Sequence, residues 1–306
     1  MRSGKTPGLS GPMTRGTPAS AARRVLAVAA LTFREARRRW VVIAAFVMTL
    51  GMLALYGVGL YFAGRELRGA SASVGSVPSG LMRNIIASQL LYMGLFLASI
   101  IVGFIAVFAS VGSISSELDT GVLYGILTRP IRRSELLIGK FLGIGAMLAV
   151  YAVVLNGVIV GLARWFLRAP VRGVPGGFAL LVLEPTVLLA IALLGSTRLP
   201  TIANGVMCAT AFGISFIGGV IEQIGSLINN QAMMNAGILS SLLMPFDAIH
   251  RKALSLLVPA SIASAGQTGM GFAPSATPSA WMIAYAAAYP VLAIWIAVRA
   301  FGRRDL

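Results

Sequence analysis

Charge is scarce in this chain. Asp, Glu, Lys and Arg make up only 11% of its 306 residues, against a hydrophobic share of 57% and a mean hydropathy of +0.86. A soluble protein carries about 25% charged residues, so too little polar material exists here to clothe a water-facing surface. Composition excludes a soluble globular class and leaves a polytopic membrane protein. Acidic residues are rarest, nine against 25 Lys and Arg, for a net charge of +16. That excess does not describe a nucleic-acid surface, because the basic residues sit in short clusters between apolar runs, without aromatics interleaved on a polar face. Retention of Lys and Arg on the cytoplasmic side of a membrane accounts for it. A single cysteine, Cys208, excludes a disulfide framework and a cysteine-built metal cluster. Within its apolar run it reads as a small buried hydrophobe. The single histidine, His250, cannot build a histidine metal site and reads as an interfacial side chain among Asp247 and Arg251. No GxxxxGK[ST], HExxH or GxSxG pattern occurs, so no nucleotide-hydrolysing or hydrolase chemistry is expected of the chain alone.

What is abundant is long apolar runs. About 20 such residues cross the hydrocarbon layer as a helix, and six runs qualify, at about 41–63, 89–111, 141–163, 178–195, 201–221 and 281–298. The expected fold is all-α, with six transmembrane helices. A further stretch, 236–260, fails as a span because Pro245, Asp247, His250, Arg251 and Lys252 occupy its middle. It is expected at the membrane surface or folded over the spans. The spans place 17 of the 25 basic residues on the side of the N-terminus, which predicts both termini cytoplasmic. Arg164, Arg168 and Arg172 run against that bias on the opposite side.

Residues 1–21 are rich in Gly, Ser, Thr and Pro and read as a disordered cytoplasmic leader, with 22–306 forming one transmembrane domain. Arg23-Arg24 and "VLAVAALTF" do not make a signal peptide, since the apolar part is short and runs straight into "REARRRW". An amphipathic interfacial helix over 22–40 fits better. Leu26, Ala29, Ala30, Phe33, Ala36 and Trp40 share one face, and Arg34, Arg37 and Arg38 face anionic lipid head groups.

Between the second and third runs lies "SSELDTGVLYGILTRPIRRSELLIGK", Ser115–Lys140, with seven charges. Its composition is not that of a loose linker. Ser115, Ser116 and Glu117 can start a helix, and Arg129 before Pro130 is biased toward an extended conformation that ends it. Ser134 and Glu135 suit the positive end of the next helix. The expectation is a short helix and tight turn standing off the membrane, with Arg132 and Arg133 at the bend.

This interval resembles the signature of the integral membrane subunits of type-2 ABC (ATP-binding cassette) transporters. Glu117, Gly121, Leu127, Pro130, Arg133, Gly139 and Lys140 match its acidic residue, glycine, Leu-x-x-Pro-x-x-Arg turn and Gly-Lys. "LTFREARRRW", with Phe33, Arg34, Glu35, Arg37, Arg38 and Trp40, is similar to the family's connecting helix. Ser196–Val206 resembles its turn between the fourth and fifth spans, and Leu242–Ala253 its Pro-containing segment before the last span. The resemblance implies a permease subunit whose 115–140 interval is a coupling helix seated on a separate ATPase subunit. It implies two copies of that subunit, holding ATP and magnesium, a second permease subunit, and surrounding membrane lipids. It implies location in the cytoplasmic membrane, outward transport, and no cofactor on this chain. The long leader and the outer segment of about 58 residues after the fifth span depart from the pattern.

Three polar residues form a candidate intramembrane site. Asn156 is expected to bridge helices by hydrogen bonding. Glu184 is a functional candidate if it lies at depth, and Pro185 beside it frees a backbone carbonyl. The short span favours a later helix start, with Glu184 near the outer interface beside Arg164 or Arg168, and Glu222 reads similarly. The competing class is a membrane scaffold that binds a cytosolic partner through the same interval and moves nothing. An intramembrane enzyme lacks any catalytic constellation.

Overall fold

The computed structural model describes residues 18–38, 40–69, 79–111, 113, 133–259 and 278–302. Among these residues all regular structure is helical: α1 (Pro18–Arg38), α2 (Trp40–Gly69), α3 (Ser79–Ser110), α4 (Arg133–Leu167), α5 (Val174–Ser196), α6 (Thr201–Leu227), α7 (Gln231–Leu243), α8 (Phe246–Leu257) and α9 (Ala280–Gly302). The helices α2 to α6 and α9 are each long and apolar enough to cross a membrane. The chain is a multi-pass all-α membrane protein, with the six spans its apolar runs predict. At 1.5 Å per residue the 35 residues of α4 extend about 52 Å, well beyond a hydrocarbon layer of about 30 Å. Its first turns, Arg133–Lys140, therefore stand outside the apolar run that begins at Phe141.

Lipid tails give helices no hydrophobic reason to associate, so close packing and buried hydrogen bonds must hold the bundle. α3 and α5 lie at its centre, where Leu91, Tyr92, Leu95, Leu188 and Leu189 are fully buried with Ile144 and Leu148 of α4. α2 is peripheral and turns Leu55, Val58 and Phe62 outward. Polar ties cross the helices: Thr49 with the Tyr151 hydroxyl, and Tyr56 Oη donating to the Leu90 carbonyl at 3.1 Å. Pro185 lies inside α5 without ending it. The Thr186 hydroxyl donates to the carbonyls of Val182 and Leu183, both at 2.8 Å, which satisfies acceptors in the turn that proline loosens.

The stretch 236–260 folds against the spans, one of the two placements its charges allow. After α6, Asn229 takes a left-handed conformation (φ 53°), and the Asn230 side chain caps α7 by accepting from Ala232 and Met233 N–H. α7 then runs back along α6, antiparallel, with Met233 against Gly225, Gly237 against Glu222 and Ser240 against Gly218. These glycines permit the approach: a Cβ on Gly218 would lie 1.7 Å from Ser240 Oγ. The "GISFIGG" run, whose small residues suggest a packing or dimer face, sets Gly218 against Ser240 of α7 and Gly219 against Asp247 of α8, both within the chain. At Met244–Pro245 the chain bends by 103°, and α8 climbs back toward the start of α5, where Leu257 O accepts from Arg172 N–H at 2.8 Å. The result is a bent helical hairpin whose tip sits beside Ser215, near the middle of α6.

A helix broken inside a membrane must find partners for its last carbonyls. Tyr285 and Tyr289 of α9 donate to Leu242 O and Leu243 O at 2.6 and 2.9 Å, and Ser215 of α6 donates to Met244 O at 2.8 Å. The same Ser215 oxygen accepts from Asp247 N–H at 3.2 Å. The tip of the hairpin is thereby sealed on two sides.

Candidate functional site

Of the interval residues, Glu117, Gly121, Leu127, Pro130 and Arg132 lie outside the described residues, as do the side chains of Arg133, Glu35, Arg37, Arg38 and Trp40. The two ends of the interval are well defined. Ser113 follows the end of α3 and Arg133 begins α4. Lys140, almost fully buried, donates from Nζ to the Ser113 carbonyl and so ties the exit of α3 to the second turn of α4. An ammonium suits that position, because the carbonyls at a helix C-terminus carry partial negative charge.

α1 closes the other flank. Arg24 makes a two-pronged contact with Glu135, Nε to Oε2 at 2.9 Å and Nη2 to Oε1 at 2.7 Å, which holds its guanidinium above the usual pKa. Gly139 and Gly143, one turn apart, form the groove into which α1 fits. Cβ atoms there would meet Val28 Cβ at 2.7 Å and Ala29 O at 2.6 Å. Gly139 and Lys140, counted by resemblance among contacts to an ATPase subunit, thus face inward and bind this chain together. Arg24, Val25, Val28, Ala29, Thr32 and Phe33 are half-buried, whereas Leu26 and Leu31 are 63% and 67% exposed and Arg34 is exposed.

At the opposite half of the bundle lies a network of buried charge. α8 presents Asp247, His250 and Arg251 along its inner face, one turn from tip to climb. Arg251 Nη2 donates to Glu222 Oε2 of α6 at 2.6 Å, and its Nε lies 2.8 Å from Asp247 Oδ2, an ion-pair contact without hydrogen-bond alignment. His250 Nδ1 meets Glu184 Oε1 of α5 at 2.9 Å, while Ser99 of α3 donates to Glu184 Oε2 at 2.6 Å. Glu184 is therefore near the middle of α5, fully buried, and paired with His250 rather than with Arg164 or Arg168. The helix starts early, at Val174 behind a left-handed Gly173, and this carries Glu184 to depth. His250 is correspondingly buried and not interfacial. Burial of each charge is tolerable because an opposite group meets it.

Asn156 does not bridge helices. Its Nδ2 donates to Ala152 O of its own helix at 2.8 Å, and Oδ1 is buried without a partner. A bridging amide does occur at Asn204, which sequence alone does not single out. It donates to Val111 O at 3.1 Å and Ala192 O at 2.9 Å, joining α6 to the ends of α3 and α5. A cavity of about 230 Å³ lies between the hairpin and α9, lined by Glu222, Ser241, Arg251, Ser279 and Met282 among others. Among the described residues no cluster of His, Cys, Asp and Glu could hold a metal ion. The buried carboxylates face Arg251, His250 and a hydroxyl, an arrangement that fastens helices together.

A search of curated proteins finds no match. A family model described as "ABC-2 family transporter protein" matches residues 26–306, taking in α2 to α9, most of α1 and the whole 115–140 interval. By that match across nearly its full length, the chain belongs to the ABC-2 family of transporter proteins.

Proposed function

We propose that the chain is the permease subunit of an exporter in the cytoplasmic membrane, with the interval and both termini on the cytoplasmic side. It works beside a second permease subunit, and two ATPase subunits carrying ATP and magnesium bind below. The 115–140 interval is the lever on which they act. Membership of the family supports the permease role, and the clamped base of the interval supports the lever. Lys140 fixes its entry to its exit, and Arg24–Glu135 with the Gly139–Gly143 groove locks α1 to the same turns. A displacement of the interval must then move α4 as a rod, since its 35 residues form one unbroken helix. α4 packs on α5, and α5 holds the hairpin through Glu184 and His250. Motion begun at the interval has a packed route to the far end.

The test uses cysteine substitutions at Gly121 and Thr128 in a Cys208→Ser background. In intact cells a membrane-impermeant maleimide should leave both unlabelled, and permeabilisation should expose them. In the assembled complex the same cysteines should crosslink to the ATPase subunit. Labelling from the exterior of intact cells would sink the orientation, and crosslinks confined to other segments would sink the lever.

A further inference from the structure

The end of the bundle where the hairpin enters carries a surplus of positive charge that the transport reading leaves unused. Arg164, Arg168 and Arg172 fall within nine residues, all exposed, and among the described residues none pairs with a carboxylate. The buried acids of this half are engaged elsewhere, Glu184 with His250 and Glu222 with Arg251.

The loop that presents them is fixed. Arg168 N–H bonds Arg164 O at 3.1 Å, Ala169 N–H bonds Ala163 O at 3.3 Å, and Arg172 N–H bonds Leu257 O at the hairpin's exit. Arg168 ends α4 in the left-handed conformation, φ 52°, a position that glycine fills at least strain. An arginine held there is disfavoured by backbone alone, so its side chain is the feature that sets it apart.

Depth identifies what the three meet. The apolar run of α4 ends at Ala163, so Arg164 stands at the hydrocarbon border and Arg168 about 6 Å farther out. The head-group layer spans about 5–8 Å on each side. Trp165, 84% exposed, lies beside Arg164, and Trp281, 86% exposed, opens α9 at the same end. Exposed tryptophans at span ends mark the interfacial plane. Guanidinium groups in that plane pair with phosphate oxygens. We propose that Arg164, Arg168 and Arg172 form a binding surface for the phosphate of an anionic phospholipid in the leaflet at the hairpin end. The site is independent of the direction of transport and of the ATPase partner.

The test reconstitutes the full-length chain in phosphatidylcholine nanodiscs containing phosphatidylglycerol and counts retained phosphatidylglycerol by native mass spectrometry. Each arginine at a membrane surface is expected to contribute about fivefold, so the triple Arg→Gln variant should bind on the order of a hundredfold more weakly. The triple Arg→Lys variant should keep most of the binding. Arg168→Gly separates binding from folding: it should unfold no earlier than wild type, because glycine suits φ 52°, yet lose about fivefold in affinity. Retention by the Gln variant equal to wild type overturns the proposal, as does equal retention of phosphatidylcholine. Competition by soluble inorganic phosphate would assign the surface to free anions and overturn the lipid.

Discussion

Replacing Arg251 with glutamine should cost far more than replacing His250 with glutamine, although both side chains, on the same helix, are buried against carboxylates. Arg251 sits between Glu222 at 2.6 Å and Asp247 at 2.8 Å. Its removal leaves two carboxylates side by side with no counter-charge, and breaking a buried pair in this way costs about 3–5 kcal/mol. His250 faces Glu184, which keeps the Ser99 hydroxyl at 2.6 Å after the change, and glutamine can supply an N–H where the imidazole stood. That loss resembles one weakened hydrogen bond, about 1–2 kcal/mol. The gap of about 2–3 kcal/mol is on the order of a hundredfold in the unfolding equilibrium. Cys208 supplies the assay. It is the chain's single thiol, fully buried on α6, the helix along which the hairpin lies. A fluorogenic maleimide should stay dark in the folded protein and report unfolding as temperature rises. Arg251→Gln should react at distinctly lower temperature than His250→Gln. Adding Glu222→Gln and Asp247→Asn to the Arg251 variant should restore much of the loss, since no unpaired charge then remains. Equal behaviour of the two single variants, or failure of the triple to recover, would refute the charge-pair account of the hairpin.

Two other perturbations address the packing that carries the proposed motion. Lys140→Met leaves the Ser113 carbonyl without its ammonium and should lower substrate moved per ATP hydrolysed in the assembled complex, with Lys140→Arg restoring part of it; an unchanged ratio in the Met variant would show that the base of the interval transmits nothing. Gly237→Ala puts a Cβ about 2.3 Å from Glu222 Cβ and should advance thiol exposure by about 1–3 kcal/mol of overpacking, whereas Gly213→Ala on α6 meets nothing within 4 Å and should be neutral or stabilising. Matching losses at the two positions would mean that close α6–α7 contact is not what Gly237 provides.

The spans were legible because each is a local property: twenty apolar residues in a row need no partner to be recognised. The family resemblance was recognisable for the related reason that the signature of the interval lies within 26 consecutive residues. What holds the structure together is not local. Arg24 finds Glu135 across 111 positions, and His250 finds Glu184 across 66. Read singly, each of these charges is a cost and is pushed toward water; that logic sends Glu184 to the interface and denies 236–260 a place among the spans. Paired, the same charges become the reason the segment can enter the bundle. The glycines follow the same rule. Gly139 within a motif and Gly218 within a small-residue run gave no hint of their partners, because a groove is visible only once Val28 or Ser240 fills it.

Asn156 shows the limit from the other direction. A polar residue in the middle of a span suggests an interhelical bond, but its amide can satisfy itself on Ala152 O one turn back. Asn204, near a helix start, has no preceding turn of α6 within reach of its amide and instead takes Val111 O and Ala192 O from two other helices. The choice between self-satisfaction and bridging depends on which carbonyls the neighbouring helix ends leave open. At the interval end of the bundle Val111 O, just past α3, and Ala192 O, near the end of α5, both lie within reach, and Asn204 joins them, Val111 standing two residues before the Ser113 carbonyl that Lys140 holds. Helix ends short of partners are costly in a membrane, and Asn204 and Lys140 meet that need at the base of the interval.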